Sequence, residues 1–369
     1  MRIGIDAREL CGCATGVGRY LSGLLDEWSA LTEPRRHEFV LYAHVPLDNR
    51  LDSRRFLTRT VAGDGGTLWE QFHLAVAARR DHLDVFFAPG YTSPLLSGIP
   101  TVVAIHDISF LAHPEWFTAR EGLRRRLLTR RAAEQARAVI TISEFSRHEL
   151  IDRLGVPGQR VHVIPPGVTP LVEPARARRD RNPTLLFVGS IFNRRHVPDL
   201  IRAFAPLARM HGSVSLEIIG DNRSHPHQDI AQVIATEGLV DRVRWRKYVS
   251  DESLGTLYAS ATAFAFLSEY EGLGLTPLEA LAAGLPVVLL DTPVARESCG
   301  GAAIYVPVED RDLITRGLAA ALFDDDVRER VLAAAPAALA RYQWSQAASR
   351  TLSLLEQTAS GLPTHVEPE

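Results

Sequence analysis

Short runs of aliphatic and β-branched residues alternate along the chain with longer stretches whose apolar positions recur every three or four residues. The short runs, bounded by Gly, Pro and Asp, predict buried strands, and the longer stretches predict the amphipathic helices that connect them. In the first half the predicted strands are Arg2 to Asp6, Glu38 to Ala43, Asp84 to Ala88, Thr101 to His106, Ala138 to Ser143 and Val161 to Pro165. In the second half they are Thr184 to Gly189, Ser215 to Gly220, Val243 to Tyr248, Ala263 to Leu267, Pro286 to Leu290 and Ala302 to Val306. Such alternation is the pattern of parallel sheets covered by helices on both faces.

The alternation breaks at PPGVTPLVEPARARRDRNP, where five prolines and a run of charges carry no apolar period, as in a linker. At 369 residues the chain is large for one α/β core and sufficient for two. We therefore expect an α/β protein of two Rossmann-like, doubly wound domains, residues 1–170 and 184–343, joined by a linker over 171–183. The closing segment 344–369 should dock the helix Trp344 to Gln357 back toward the first domain and end, after Gly361, in a Pro-rich disordered tail. Open α/β sheets bind ligands beyond the carboxyl ends of their strands, so the active site is expected in a central cleft that the two domains face.

Composition narrows the partners. The 41 basic and 44 acidic residues nearly cancel, so no global field marks a nucleic-acid binder. Cys11, Cys13 and Cys299 form neither an even disulfide framework nor a paired metal-ligand pattern, which suits a reducing, cytoplasmic setting. The start MRIGIDAREL reads as a charged strand rather than a signal core, and no apolar run reaches membrane-spanning length. Over 119–137, Arg120, Arg124, Arg125, Arg126, Arg130 and Arg131 crowd a helix whose Ala119, Leu123, Leu127 and Leu128 are expected to face inward. A basic amphipathic helix of this kind can dock at an anionic membrane surface or be a solvated face.

The stretch SEYEGLGLTPLEALAAGLPVVLLD, Ser268 to Asp291, is the most informative. A strand ends near Leu267, a Gly-containing loop follows, and Thr276-Pro277 opens a helix that Gly284 closes. The backbone N–H groups of Gly272, Leu273, Gly274 and Leu275 are then offered to an anion such as a phosphate. Two carboxylates, Glu271 and Glu279, frame this loop. Thr276-Pro-Leu-Glu279 also reads as a capping box, whereas Glu271, short of the helix and among glycines, is not explained by capping. In the first half, His106-Asp107 ends a strongly apolar strand, which puts both at a carboxyl edge. The GVG segment Gly16 to Gly18, with Arg19 beside it, either brings backbone close to a diphosphate or acceptor or makes a tight strand-to-helix turn. Asp324-Asp325-Asp326 reads as a helix cap rather than a metal site, and His225-Pro-His227 lacks the Cys or carboxylate companions of a metal centre.

The pair Glu271 and Glu279 in E-x7-E spacing, followed by Ala-Gly-x-Pro-Val-Val, resembles the signature of the fourth family of retaining glycosyltransferases, which have the GT-B fold. GIDAREL, TGVGRYL, AIHDISF, ITISEFSRHEL, VIPPGV, FVGSIFNRRHVPDLIRAF and YVSDESLGTLYASA resemble the same family, in the same order. The resemblance implies a nucleotide diphosphate sugar held by the second domain and transferred with retention of configuration. Glu279 would accept hydrogen bonds from the ribose, and Glu271, with the amides of Gly272 to Leu275, would position the donor sugar and phosphate. The loop Gly189 to His196 carries Arg194-Arg195-His196 where the family has Arg-Lys-Asn, so the diphosphate would be neutralised by planar guanidinium forks. His106 would approach the donor sugar and acceptor hydroxyl, Asp107 would orient nearby groups, and backbone around Tyr248, Val249 and Ser250 would read the base. No cofactor beyond the donor and no metal is implied.

Segment similarity leans toward mannosyltransferases, which places GDP-mannose ahead of a UDP-sugar; the acceptor would be a glycan, a lipid-linked sugar or a small molecule. Thr276 stands where Pro is usual, and Cys299-Gly300-Gly301 where Gly-Asp is common, so the loops around the nucleotide differ in stiffness and polarity. A sugar-nucleotide epimerase or hydrolase, or a silent nucleotide-sugar-binding subunit, would share the same fold. A nicotinamide enzyme is disfavoured, because Gly16-x-Gly18-x-x-Leu21 lacks the third glycine of the dinucleotide fingerprint.

Overall fold

The computed structural model describes residues 1–12, 16–31, 37–47, 55–170 and 182–361. Most of the expected linker 171–183 and all of the tail after Gly361 lie outside the described residues.

The first sheet consists of Arg2–Asp6 (β1), Glu38–Ala43 (β2), Phe56–Thr60 (β3), Val85–Ala88 (β4), Thr101–Ala104 (β5), Ala138–Thr141 (β6) and Val161–Val163 (β7). The second consists of Thr184–Val188 (β8), Ser215–Ile219 (β9), Val243–Arg246 (β10), Ala263–Phe266 (β11), Val287–Leu290 (β12) and Ile304–Val306 (β13). All strand pairs are parallel, in the orders β3-β2-β1-β4-β5-β6-β7 and β10-β9-β8-β11-β12-β13. Each order reverses once, between β1 and β4 and between β8 and β11. These are the switch points at which doubly wound sheets leave room for a ligand beyond the strand ends. Each predicted strand is present, most of them one or two residues shorter, because extended backbone runs past the last ladder bond into the loops.

β3 was not anticipated. It is an edge strand with only Phe56 fully buried, so the run FLTRT carries little of the apolar signal that marks the central strands.

The chain divides into two units, and neither is continuous in sequence. One takes Met1–Ala112, Arg120–Gly167 and Tyr342–Glu369; the other takes His113–Ala119 and Val168–Arg341. In the first, the helix Gly16–Ser29 buries Leu21, Leu24, Leu25 and Trp28 toward the sheet, at the spacing of one helical face. The Trp28 ring stacks on Phe39 with centroids 5.1 Å apart, and its Nε1 donates to the Ala348 carbonyl at 3.0 Å. That carbonyl belongs to the helix Trp344–Ser360, which lies against Gly16–Ser29 so closely that a Cβ on Gly23 would come within 2.5 Å of the Trp344 ring.

In the second unit the turn after β8 depends on another close approach. A Cβ on Gly220 would stand 1.9 Å from the Gly189 carbonyl oxygen, so only glycine lets the ends of β8 and β9 run this near one another. Among the described residues no helix is long and apolar enough to cross a membrane, and no group of three or more His, Cys, Asp or Glu could hold a metal ion. Asp324 caps the helix Asp325–Leu339, its side chain accepting the Val327 N–H.

Candidate active site

In the second unit, two loops meet beyond β8 and β11. The first, after Gly189, carries the short helical turn Asn193–Arg195; the second runs from Ser268 to Gly274. They are joined through the backbone by the Glu269 N–H donating to the Arg194 carbonyl at 2.9 Å. Side chains complete the junction. Arg195 Nε donates to Glu271 Oε1 at 2.8 Å and its Nη1 to the Ser190 carbonyl at 2.8 Å, while Ser268 Oγ donates to the same Glu271 oxygen at 2.9 Å. The Arg195 guanidinium also sits 4.8 Å from the Phe266 ring centroid and 5.4 Å from that of Phe192, and Arg194 lies 4.7 Å from Phe192.

Arg194 is buried, and Arg195 nearly so, against aromatic faces. Cations so placed are poorly hydrated and ready to meet a concentrated negative charge. A Cβ on Gly189 would come 2.7 Å from Arg195 Nη1, so the bare backbone there is what admits the guanidinium.

His196 follows in the left-handed region, φ +46°, and opens the helix Val197–Met210. Its ring reaches Asp199 at 3.2 Å and Glu269 at 3.3 Å. Burial alone would lower its pKa, but the two carboxylates outweigh that and hold it up at about 9, so the ring is a cation at neutral pH. The His225 N–H donates to Asn193 Oδ1 at 2.6 Å and Asn193 Nδ2 to the Pro226 carbonyl at 3.1 Å; His225-Pro-His227 thus braces this turn.

The helix after the second loop spans Leu275–Ala282. Its N-cap is Gly274, at φ +87°, and no side chain caps it. The capping box expected of Thr276 and Glu279 is therefore absent: Thr276 and Pro277 lie inside the first turn, where the missing proline N–H costs nothing, and Glu279 stands a turn further on. Glu279 Oε2 lies 3.5 Å from the Tyr258 hydroxyl, a marginal hydrogen bond. Gly272 and Leu273 are buried, Gly274 and Leu275 half-buried. Behind this loop, Ser268, Glu271, Gly274 and Pro277 help line a cavity of about 20 Å³, room for a single water. Tyr248 and Val249 follow β10 at the sheet edge, and the Tyr248 side chain is exposed. Ser250 caps the next helix through the Ser253 N–H.

In the first unit, Ile105 extends β5 by donating to the Ile140 carbonyl, and His106 follows, buried. His106 Nε2 donates to the Pro89 carbonyl at 2.8 Å, and the ring meets Tyr20 and Tyr91 edge-on at 4.8 and 5.7 Å. Burial lowers its pKa, so the imidazole is neutral with its proton on Nε2. Asp107 accepts from the Ser109 N–H at 2.9 Å and Oγ at 2.7 Å, and from the Tyr91 hydroxyl at 3.1 Å. Gly16 and Gly18 do not form a loop: the helix begins at Gly16, and both glycines lie in its first turn, with Gly18 buried.

Sequence reasoning missed the residues that tie these loops down. Ser268 and Glu269 were overlooked because a Ser and a Glu at a strand end look solvated. Tyr91, at φ +67°, was overlooked because nothing in GYTS announces a left-handed tyrosine.

Two parallel doubly wound units in one chain give the architecture of the GT-B fold, and in the second unit an arginine pair and a carboxylate meet at the switch point. Sucrose-phosphate synthase from Thermosynechococcus elongatus superposes with a TM-score of 0.78 at 18% identity, covering 98% of this chain and 99% of that one. Anabaena HepE in complex with UDP and glucose does so at 0.74 and 19% identity, covering 97% and 100%. Residues 14–170 match the Glycosyltransferase Family 4 domain and residues 172–337 the group 1 glycosyl transferase domain, and the chain belongs to this family. The O-antigen chain mannosyltransferase B of Escherichia coli is 26% identical over 92% of this chain and 95% of its own length. A phosphatidyl-myo-inositol mannosyltransferase of Mycobacterium tuberculosis is 31% identical over 60% of this chain and 59% of its own.

Proposed function

We propose that the chain is a retaining hexosyltransferase that carries a hexose from a nucleotide diphosphate sugar, GDP-mannose ahead of a UDP-sugar, to an acceptor hydroxyl of a glycan, a lipid-linked sugar or a small molecule. The observation that carries this reading is the junction of Arg194, Arg195 and Glu271 beside the start of the helix Leu275–Ala282. The mannosyltransferases among the relatives support the choice of sugar.

As the bond from the sugar C1 to the leaving phosphate oxygen breaks, negative charge grows on the diphosphate. Arg194, Arg195 and the first-turn amides meet that charge in fixed positions. The acceptor oxygen forms its bond to C1 on the same face, and its proton passes to the departing phosphate oxygen. Glu271 holds the sugar hydroxyls, Glu279 the ribose, and backbone at Tyr248 and Val249 the base. To neutral His106 and to Asp107, both bonded to the Pro89–Tyr91 loop, we assign the handling of the transferred sugar and the acceptor hydroxyl. The guanidinium charges offset the diphosphate, so no step is routed through a metal or a further cofactor.

Calorimetry with GDP, UDP, ADP and dTDP tests the donor half. One diphosphate should bind selectively, and Glu279→Ala and Arg195→Ala should each abolish that binding. In Arg195→Ala we expect turnover to fall by about 10²–10³-fold with the melting transition kept. Binding of none of the four by the wild-type protein would remove the reading.

A peripheral membrane contact has its own support. Contrary to expectation, the helix Ala119–Gln135 buries the small residues Gly122, Thr129, Ala132 and Ala133, because only these fit close to its neighbours. Ala119, Leu123 and Leu127 are exposed beside Arg120, Arg130 and Arg131, and Leu128 is half-buried. Arg124 donates to Thr67 at 3.0 Å, which brings alongside a second exposed row, Leu68, Phe72 and Val76. Apolar rows interleaved with arginines suit an anionic lipid surface, and a lipid-linked acceptor would be presented there.

A further inference from the structure

The loop that follows β4 takes a shape few residues choose. The Thr92 N–H donates to the Gly90 carbonyl at 2.7 Å across Tyr91, whose φ is +67°. A bond closed around a single residue at positive φ marks the rare, strained γ-turn, and here that residue is a bulky one. Backbone of this kind persists only where its surroundings over-determine it. The Tyr91 N–H donates to the Ala104 carbonyl at 2.8 Å, which ties one side of the turn to β5. The other side is held from the π-helical turn Trp69–Leu74.

Glu70, 1% exposed, accepts from the Thr92 hydroxyl at 2.6 Å on Oε1 and from Gln71 Nε2 at 3.0 Å on Oε2. Gln71 Nε2 also donates to the Ser93 carbonyl at 2.9 Å, and Gln71 Oε1 accepts from the Leu95 N–H at 3.1 Å. Both N–H groups and the oxygen of that amide are engaged, so its orientation is fixed by partners that cannot be exchanged. Arg8 makes the burial of Glu70 tolerable: its Nη2 bonds Glu70 Oε1 and lies 2.8 Å from Asp6 Oδ2. Adjacent residues of an ordinary helix do not share a face, yet Glu70 and Gln71 both reach this loop, and π-helical turns recur at functional sites.

The loop passes the constraint on. The Pro89 carbonyl accepts from His106 Nε2, the Tyr91 hydroxyl donates to Asp107 at 3.1 Å, and the Tyr91 ring meets His106 edge-on. We infer that Glu70 and Gln71 are positioning residues for transfer: by fixing Thr92, Ser93 and Leu95 they hold Tyr91 in its turn and so set the places of His106 and Asp107. The inference rests on the reading of His106 and Asp107 as the groups that handle the sugar and the acceptor hydroxyl.

The test uses the full chain with Thr92→Val, Gln71→Met and the conservative Thr92→Ser, each checked for an unchanged melting transition. Release of GDP from GDP-mannose, or of UDP from UDP-glucose, measures turnover. NMR of protein carrying isotope-labelled histidine, with His106→Gln to assign the signal, follows the His106 Nε2–H. In Thr92→Val and in Gln71→Met kcat should fall by about 10²-fold through misplacement of the reacting groups. The donor KM should stay within about twofold, because the residues proposed to hold the donor lie in the other unit. The His106 Nε2–H should exchange with water at least about tenfold faster in both variants, and Thr92→Ser should restore both readings. Folded variants that keep the wild-type kcat, or a His106 signal that exchanges as in the wild-type protein, would overturn the inference. Consumption of neither donor by the wild-type protein would instead remove the transfer reading, and the His106 signal would still decide whether this turn holds the ring in place.

Discussion

The family resemblance implies Asn at the position of His196, and the backbone there suits either residue. At φ +46° the position asks for a residue that tolerates the left-handed region, and Asn and His are among the few that do. What His adds is charge. With its folded pKa raised from 6.5 to about 9, the ring binds a proton more tightly in the folded chain, so its contribution is complete below pH 6.5 and is lost as pH rises through 9. At ~1.4 kcal/mol per unit a rise from 6.5 to about 9 sets an upper bound of about 3.5 kcal/mol on the net contribution, which the ring's partial exposure to solvent reduces. His196→Asn keeps the backbone and removes the charge. The melting temperature of the wild-type protein should therefore exceed the variant's at pH 6 and converge on it by pH 10; parallel curves across that range would sink the argument. At this scale the order of strand end, glycine-containing loop and helix start around Glu271 was legible in the residue pattern, whereas the pairing of Glu271 with Arg195, 76 residues away in sequence, is something only the folded chain displays. Glu70 was not legible either. In LWEQFHL it looks like the solvated side of an ordinary helix, and the π-helical turn that carries it inward leaves no mark in the residue pattern.

The two exposed apolar rows behave as one element pair, and their prediction belongs to the pair. The wild-type protein should co-sediment with vesicles containing phosphatidylglycerol at low salt, dissociate at high salt and ignore purely zwitterionic vesicles. Replacing Leu123 and Leu127 by Ser, or Phe72 by Ser, should weaken sedimentation about tenfold or more without a fall in melting temperature, since these side chains already face water. Salt-independent binding, or none, would refute it. Elements were the most readable level of this molecule: the central strands are buried on both faces and declare themselves as continuous apolar runs. The errors fall where that signal thins, at the edge strand β3 and on the helix Ala119–Gln135. There, large leucines suggested an inner face that small residues occupy. The start of the helix Leu275–Ala282 was misread by one residue, because Gly274 caps by conformation rather than by a side chain.

As a whole, the molecule is two units threaded through each other by sequence. The first needs Tyr342 onward, where Leu354 and Leu355 are buried and Ala348 receives the Trp28 indole. The second needs His113–Ala119, where His113 stacks on Trp116 at 3.9 Å and meets Tyr270, the neighbour of Glu271, edge-on at 5.3 Å. A fragment of residues 1–167 should therefore be less stable than the same unit in the intact chain by on the order of 3–6 kcal/mol for the two leucines alone. A peptide of residues 342–361 should raise its melting temperature; a fragment that melts identically with and without the peptide would contradict this. The threading also sets a clock. On the ribosome the first sheet emerges early, yet the helix that covers Gly23 and Trp28 is separated from Gly167 by the 174 residues from Val168 to Arg341. At ~5–20 residues per second that is roughly ten to thirty-five seconds during which an apolar face of the older half stands uncovered. The half that is made first is the half that is finished last, and for that interval its solubility rests on whatever else in the cell can cover the face.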